Sequence, residues 1–108
     1  MNSFTERYDA TIRHLDEALS TLIDSGSDFD IEPNGDVLSI VFVDGSKFII
    51  SPNSPVNQVW VSANYEGHRF NFDDSKEAWV DEKSGEGFLT YLGRLLSEKL
   101  SETILLTK

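Results

Sequence analysis

The stretch PNGDVLSIVFVDGS, Pro33 to Ser46, decides the fold. It holds two turn dipeptides, Asn34-Gly35 and Asp44-Gly45, on either side of the β-rich run Val37 to Val43. Such dipeptides accept the positive φ angles of two-residue hairpin turns, so the strands on both sides should fold back antiparallel. Toward the N-terminus, Asp28 to Pro33 alternates acids with larger side chains. Asp28, Asp30 and Glu32 stand against Phe29 and Ile31, and a period of two puts the three carboxylates on one side of a strand. Toward the C-terminus, Lys47 to Ser51 returns from the second turn. After the loop Ser51-Pro52-Asn53-Ser54-Pro55, the residues Val56 to Ala63 read as another strand. Asn64 to Gly67 turns, His68 to Asp73 returns, and Glu77 to Asp81 is a short strand around Trp79.

Helices flank this run. Phe4, Tyr8, Ile12, Leu15, Leu19 and Leu22 recur at helical spacing, predicting a helix from about Ser3 to Ile23 that Ser25-Gly26-Ser27 ends. Ser84 is the expected N-cap of a closing helix with Phe88, Leu89, Leu92, Leu95, Leu96 and Leu100 on its apolar face. Ile104, Leu105 and Leu106 read as a tail folding back over the core. Short hairpin connections imply antiparallel neighbours. The expected fold class is α+β: a two-layer α-β sandwich. Its N- and C-terminal helices pack on one face of an antiparallel sheet of about six strands, in a single domain over residues 1–108.

Composition bounds the function. The 108 residues carry 19 acids and 9 bases, a net charge of −10. Such a surface repels phosphate backbones and anionic membranes and favours cations and basic proteins. Residues 1–46 hold ten acids against two bases, so most of the excess lies in the first two-fifths of the chain. The absence of cysteine removes disulfides, thiolate metal sites and cysteine nucleophiles. No apolar run approaches the ~20 residues of a membrane span, and the opening residues lack a signal-peptide pattern. A soluble, cytoplasmic protein is expected, and a monomer, since like charges oppose self-association. Neither a nucleophile elbow, a P-loop nor a dinucleotide fingerprint occurs. His14 and His68 lack metal-ligand spacing and read as structural or surface residues.

The strand after the proline loop presents a candidate contact surface. Val59 and Val61 should face the helices, leaving Gln58, Trp60 and Ser62 on the open face of the sheet. Phe70 and Phe72 should likewise point inward, which turns Arg69 and Asn71 outward beside Trp60. Tryptophan and arginine are enriched among interface anchors, so Gln58, Trp60, Ser62, Arg69 and Asn71 are the candidate partner-binding residues.

Taken together, the chain resembles bacterial frataxin. The resemblance rests on Asn34-Gly35 before Val37-Leu38, on Asp44-Gly45-Ser46-Lys47, and on Pro55-Val56-Asn57-Gln58-Val59-Trp60-Val61-Ser62. Trp79, Ser84-Gly85 and the acidic first helix and strand also fit, so the likeness spans nearly the whole chain. Two departures are Ser51, where the family usually has asparagine, and Glu6 in a region where some members carry a histidine. The resemblance implies a frataxin fold and weak iron binding on an acidic ridge. It also implies a part in iron–sulfur cluster assembly, as a regulator more than a catalyst. The implied partners are a cysteine desulfurase and the cluster scaffold.

The candidate metal residues are Glu6, Asp9, Asp16, Glu17, Asp24, Asp28, Asp30 and Glu32. Carboxylate oxygens suit hard cations, and a tight site needs several of them converging. Acids strung over several helical turns cannot meet one ion. Pairs such as Asp16 with Glu17, Asp24 with Asp28, or Asp28 with Asp30 could form shallow, water-completed sites. These should hold iron(II) weakly and iron(III) better, and other divalent or trivalent cations should substitute. Two alternatives stand beside this reading. One is a ferroxidase or iron-storage protein, for which no Glu-x-x-His motif is present. The other is an acidic interaction module without a physiological metal.

Overall fold

The computed structural model describes residues 3–64 and 66–106. The element order is α1 (Phe4–Asp24), β1 (Phe29–Asn34), β2 (Val37–Phe42), β3 (Lys47–Asn53), β4 (Gln58–Ala63), β5 (Glu66–Asp73), β6 (Ala78–Asp81) and α2 (Phe88–Leu100). The six strands lie in chain order in one sheet, and every neighbouring pair is antiparallel. Two helices and a six-stranded antiparallel sheet are the architecture that the turn dipeptides and periodicities imply.

One face of the sheet packs against both helices. Leu38, Ile40, Phe42, Phe48, Ile50, Val59, Val61 and Phe70 alternate inward along β2 to β5 and are buried. Tyr8, Leu15 and Leu19 of α1 meet them, with Phe88, Leu92 and Leu96 of α2. Burial of this apolar surface is the dominant favourable term in folding. Side chains then fix where α1 sits. Its Tyr8 hydroxyl donates to the carbonyl of Asp36 in the β1–β2 turn. The Trp79 indole N–H of β6 donates to Thr11 Oγ1 at 2.8 Å. His14 Nε2 bonds the Leu106 carbonyl at 2.9 Å and ties the C-terminal tail to the same helix.

Local differences from the sequence reading have physical causes. Ser54–Val56 form a turn of 3-10 helix and Asn57 takes a left-handed φ of 53°, so β4 begins at Gln58 and not at Val56. Glu77, also left-handed at φ 49°, delays β6 to Ala78. Ser84 does not cap α2; Gly87 does, without a side-chain hydrogen bond. The intervening loop is organised by Asp81, whose carboxylate accepts the backbone N–H of Lys83 at 2.8 Å. Gly85, at φ +76°, leaves helical geometry altogether. Only part of the tail covers the core: Ile104 and Leu106 are buried, while Leu105 is 81% exposed. In an extended segment alternate side chains point opposite ways, which an unbroken apolar triplet conceals.

Candidate functional site

The open face of the sheet carries a polar and aromatic platform. Across the β3–β4–β5 ladder, Ser51 lies opposite Trp60 and Trp60 opposite Arg69. Gln58 pairs with Asn71 in the next row, and Ile49, Ser62 and Gly67 form the row on the other side. The small Ser51, Ser62 and Gly67 leave the indole standing beside an open concavity of about 700 Å³. Trp60 is held from both ends. Its N–H donates to Gln58 Oε1 at 3.0 Å, and the Arg69 guanidinium stands 5.0 Å from the ring centre. The Gln58 amide donates in turn to Asn71 Oδ1 at 3.2 Å and to Glu82 Oε1 at 3.1 Å. Thus Gln58, Trp60, Ser62, Arg69 and Asn71 share one face, as their strand parity indicates.

Glu82 completes this network, and the sequence reading passes over it. It accepts from Gln58, lies 3.9 Å from Arg69, and its backbone N–H donates to the Arg69 carbonyl. Parity counted from inward-pointing Trp79 would have placed Glu82 outward, in line with Arg69 and Asn71.

The acidic residues lie exposed on α1 and β1, with Glu6 and Asp9 bordering a concavity shared with Asp74, Glu77 and Trp79 on the β6 side. With 3.6 residues per turn, Glu6, Asp9, Asp16, Glu17 and Asp24 fall within an arc of about 100° on α1, away from its buried stripe. All five are exposed. The helix lies against β1, where Asp30 and Glu32 alternate with Phe29 and Ile31 and are exposed on the opposite sheet face. Asp24 and Asp28 stand exposed on either side of the Ser25–Ser27 turn between α1 and β1. Among the described residues only Glu32 of these eight joins an ion pair, with Lys47 at 3.9 Å. Unrelieved like charges so placed repel one another. By contrast Asp44, just beyond the ridge, is paired: Lys99 Nζ lies 2.7 Å away. That hydrogen bond, with two from Ser46, holds its carboxyl well below the ordinary range.

No group of three or more His, Asp or Glu converges as a metal cage among the described residues. The exposed carboxylates of α1 and β1 are hard donors, the kind that suits hydrated hard cations. Nor is there, among the described residues, a helix long and apolar enough to cross a membrane.

Comparison with known proteins agrees with this architecture. A model of the frataxin-like domain matches residues 1–102. The chain belongs to the frataxin-like family. The iron-sulfur cluster assembly protein CyaY of Psychromonas ingrahamii is 30% identical over 103 residues, covering 95% of this chain and 93% of that protein. The protein of the same name from Colwellia psychrerythraea is 31% identical over 99 residues, 92% of this chain and 89% of its relative. The solved structure of the Psychromonas ingrahamii frataxin superposes with a TM-score of 0.84 at 28% identity, covering 99% of this chain and all of the other. The resemblance carried by the hairpin dipeptides and the proline-to-tryptophan segment is thereby established as family membership.

Proposed function

We propose that this frataxin-like protein acts in iron–sulfur cluster assembly in the cytoplasm. It docks on the cysteine desulfurase and scaffold complex and regulates it, while binding iron weakly on the acidic ridge. The assembly role is supported by relatives at about 30% identity that are named iron-sulfur cluster assembly proteins. The observation that carries the finer reading is the exposed acids of α1 and β1, of which only Glu32 joins an ion pair among the described residues, in a molecule that also exposes an anchored tryptophan on its sheet face. Charge of that kind steers a basic partner and orients it, and a preorganised indole supplies a contact that excludes water. Iron is cargo here, held by carboxylate pairs and water, exchanging readily and not selected strongly over other cations.

An NMR titration of the intact protein with iron(II), and separately with the desulfurase, tests both halves. Iron is expected to move resonances of α1 and β1, and the desulfurase to move those together with Trp60 and Arg69. Iron-induced shifts away from the ridge would refute the metal reading. An unperturbed Trp60 on adding desulfurase would refute the docking surface. Cluster formation on the scaffold, followed with and without this protein, tests regulation; identical rates would refute it.

A further inference from the structure

A second polar cluster lies on the helix side of the sheet, remote in kind from the ridge. His68 of β5 and Asp81 of β6 meet there, with His68 Nδ1 2.7 Å from Asp81 Oδ2. The Asp81 side chain is only 4% exposed. Its other oxygen accepts the backbone N–H groups of Lys83 and Ser84 at 2.8 and 3.4 Å. Only donors face this carboxylate, two backbone N–H groups at one oxygen and the imidazole at the other. An ionised carboxylate only accepts, so Nδ1 carries the ring proton. In the neutral imidazole the lone pair is then left on Nε2. The Tyr91 ring, 4.7 Å away centre to centre, fixes the imidazole plane.

His68 Nε2 has no hydrogen-bond partner among the described residues; its neighbour is Glu66 Oε2 at 3.7 Å, too far to bond. Two donors sharing one ion at bond lengths near 2.0–2.1 Å stand ~3.0–3.4 Å apart. The present 3.7 Å lies just beyond that separation, and the Glu66 side chain is 75% exposed, with solvent around it in which to turn. Glu66, Asp81 and Glu82 line the same concavity that borders Trp60, against Arg69 and Lys83, leaving its balance negative.

We propose that His68 Nε2 and the Glu66 carboxylate form a two-point site for a borderline divalent transition cation such as Zn²⁺, completed by water, with Asp81 positioning the histidine. Imidazole suits such ions better than the all-carboxylate ridge does. A buried carboxylate behind a ligating histidine is the usual support of its tautomer and basicity. This site stands independently of the ridge reading.

The test is a titration of the intact protein with Zn²⁺, following histidine ring nitrogen resonances. His68 Nε2 is expected to shift, while His14, whose Nε2 already bonds the Leu106 carbonyl, stays in place. Mg²⁺, a hard ion, should leave His68 unmoved. Glu66→Gln, a surface change that spares the fold, should abolish most of the binding. Asp81→Asn should weaken it roughly tenfold or more, provided its melting curve confirms folding. Asp16→Asn with Glu17→Gln should leave it unchanged. An unmoved His68, an equal shift in Glu66→Gln, or loss of the shift in the ridge variant would each overturn the proposal.

Discussion

Arg69 stands directly opposite Trp60 across the β4–β5 ladder, its guanidinium 5.0 Å from the indole centre. Glu82 holds that guanidinium from behind at 3.9 Å, and Gln58 takes the indole N–H. The ring is therefore ordered before any partner arrives, so its ordering entropy does not fall due on docking. A cation over an aromatic face at a partly exposed site adds about 0.5–1 kcal/mol.

Trp60→Ala removes the anchor and leaves the core untouched, since the ring stands on the open face. Affinity for the desulfurase, measured by calorimetry, is expected to fall tenfold or more, the behaviour of a hot spot of about 2 kcal/mol. The melting temperature should drop by only a few degrees. Retained affinity would remove Trp60 from the contact.

On the proposed reading the acidic residues of α1 and β1 make the opposite kind of contribution: they should weaken the free protein and favour the complex. Converting Asp16 and Glu17 to lysine should raise the melting temperature at low salt, because neighbouring Asp9 and Asp24 lose repulsion. The same change should slow association with the desulfurase by roughly tenfold at low salt, and less at high salt. A melting temperature indifferent to salt, divalent cations and this double variant would show that the carboxylates do not act as a cluster.

These two surfaces differ in how they could be read from the chain. Trp60 and its row follow from strand parity once Val59 and Val61 are assigned inward, because the period of a strand is two. The acids of α1 follow equally from helical spacing. What parity alone does not give is partnership across strands. His68 and Asp81 each lie an even step from inward Phe70 and Trp79, so both face the helices. Their meeting depends on the β5–β6 register, in which Asp81 pairs with Phe70. A buried carboxylate at an inward position does demand a partner, and that demand was the available signal. The start of α2 was hidden for a different reason. Ser84 has the chemistry of a cap and its Oγ accepts the Glu86 N–H, but Gly85 at φ +76° turns the chain out of helical geometry there, so α2 begins after Gly87.

The C-terminal tail gives a sharp contrast within two adjacent leucines. Leu106 is 2% exposed and packs near Gly93, where an added Cβ would come within 3.1 Å of the Ile104 carbonyl oxygen. Ser97 Oγ accepts the Ile104 N–H at 2.9 Å and holds the tail in this narrow gap. Leu106→Ala should cost about 2–5 kcal/mol in chemical denaturation. Leu105→Ala should change stability by no more than about 0.5 kcal/mol, its side chain being largely in solvent. Equal effects would mean that the tail does not dock in this register.

Alkaline pH should unfold the protein through two buried phenols. Burial pushes the Tyr91 hydroxyl up to about 12; Arg94 opposes the shift, and Glu66, Asp81 and Glu86 add to it. Burial raises Tyr8 as well, with Asp36 and Asp9 contributing. Both phenols are thus kept neutral in the fold above the pH at which they ionise in the unfolded chain, near 10. A group raised in this way contributes its full stabilisation below about pH 10 and loses it as the pH climbs toward the folded value. Melting temperatures should therefore hold steady up to about pH 10 and fall steeply beyond, in step with the ultraviolet signal of tyrosinate. Tyr91→Phe, which keeps the ring packed against Phe70 and His68, should flatten part of that fall. A melting temperature that declines equally in the variant would place the alkaline sensitivity elsewhere.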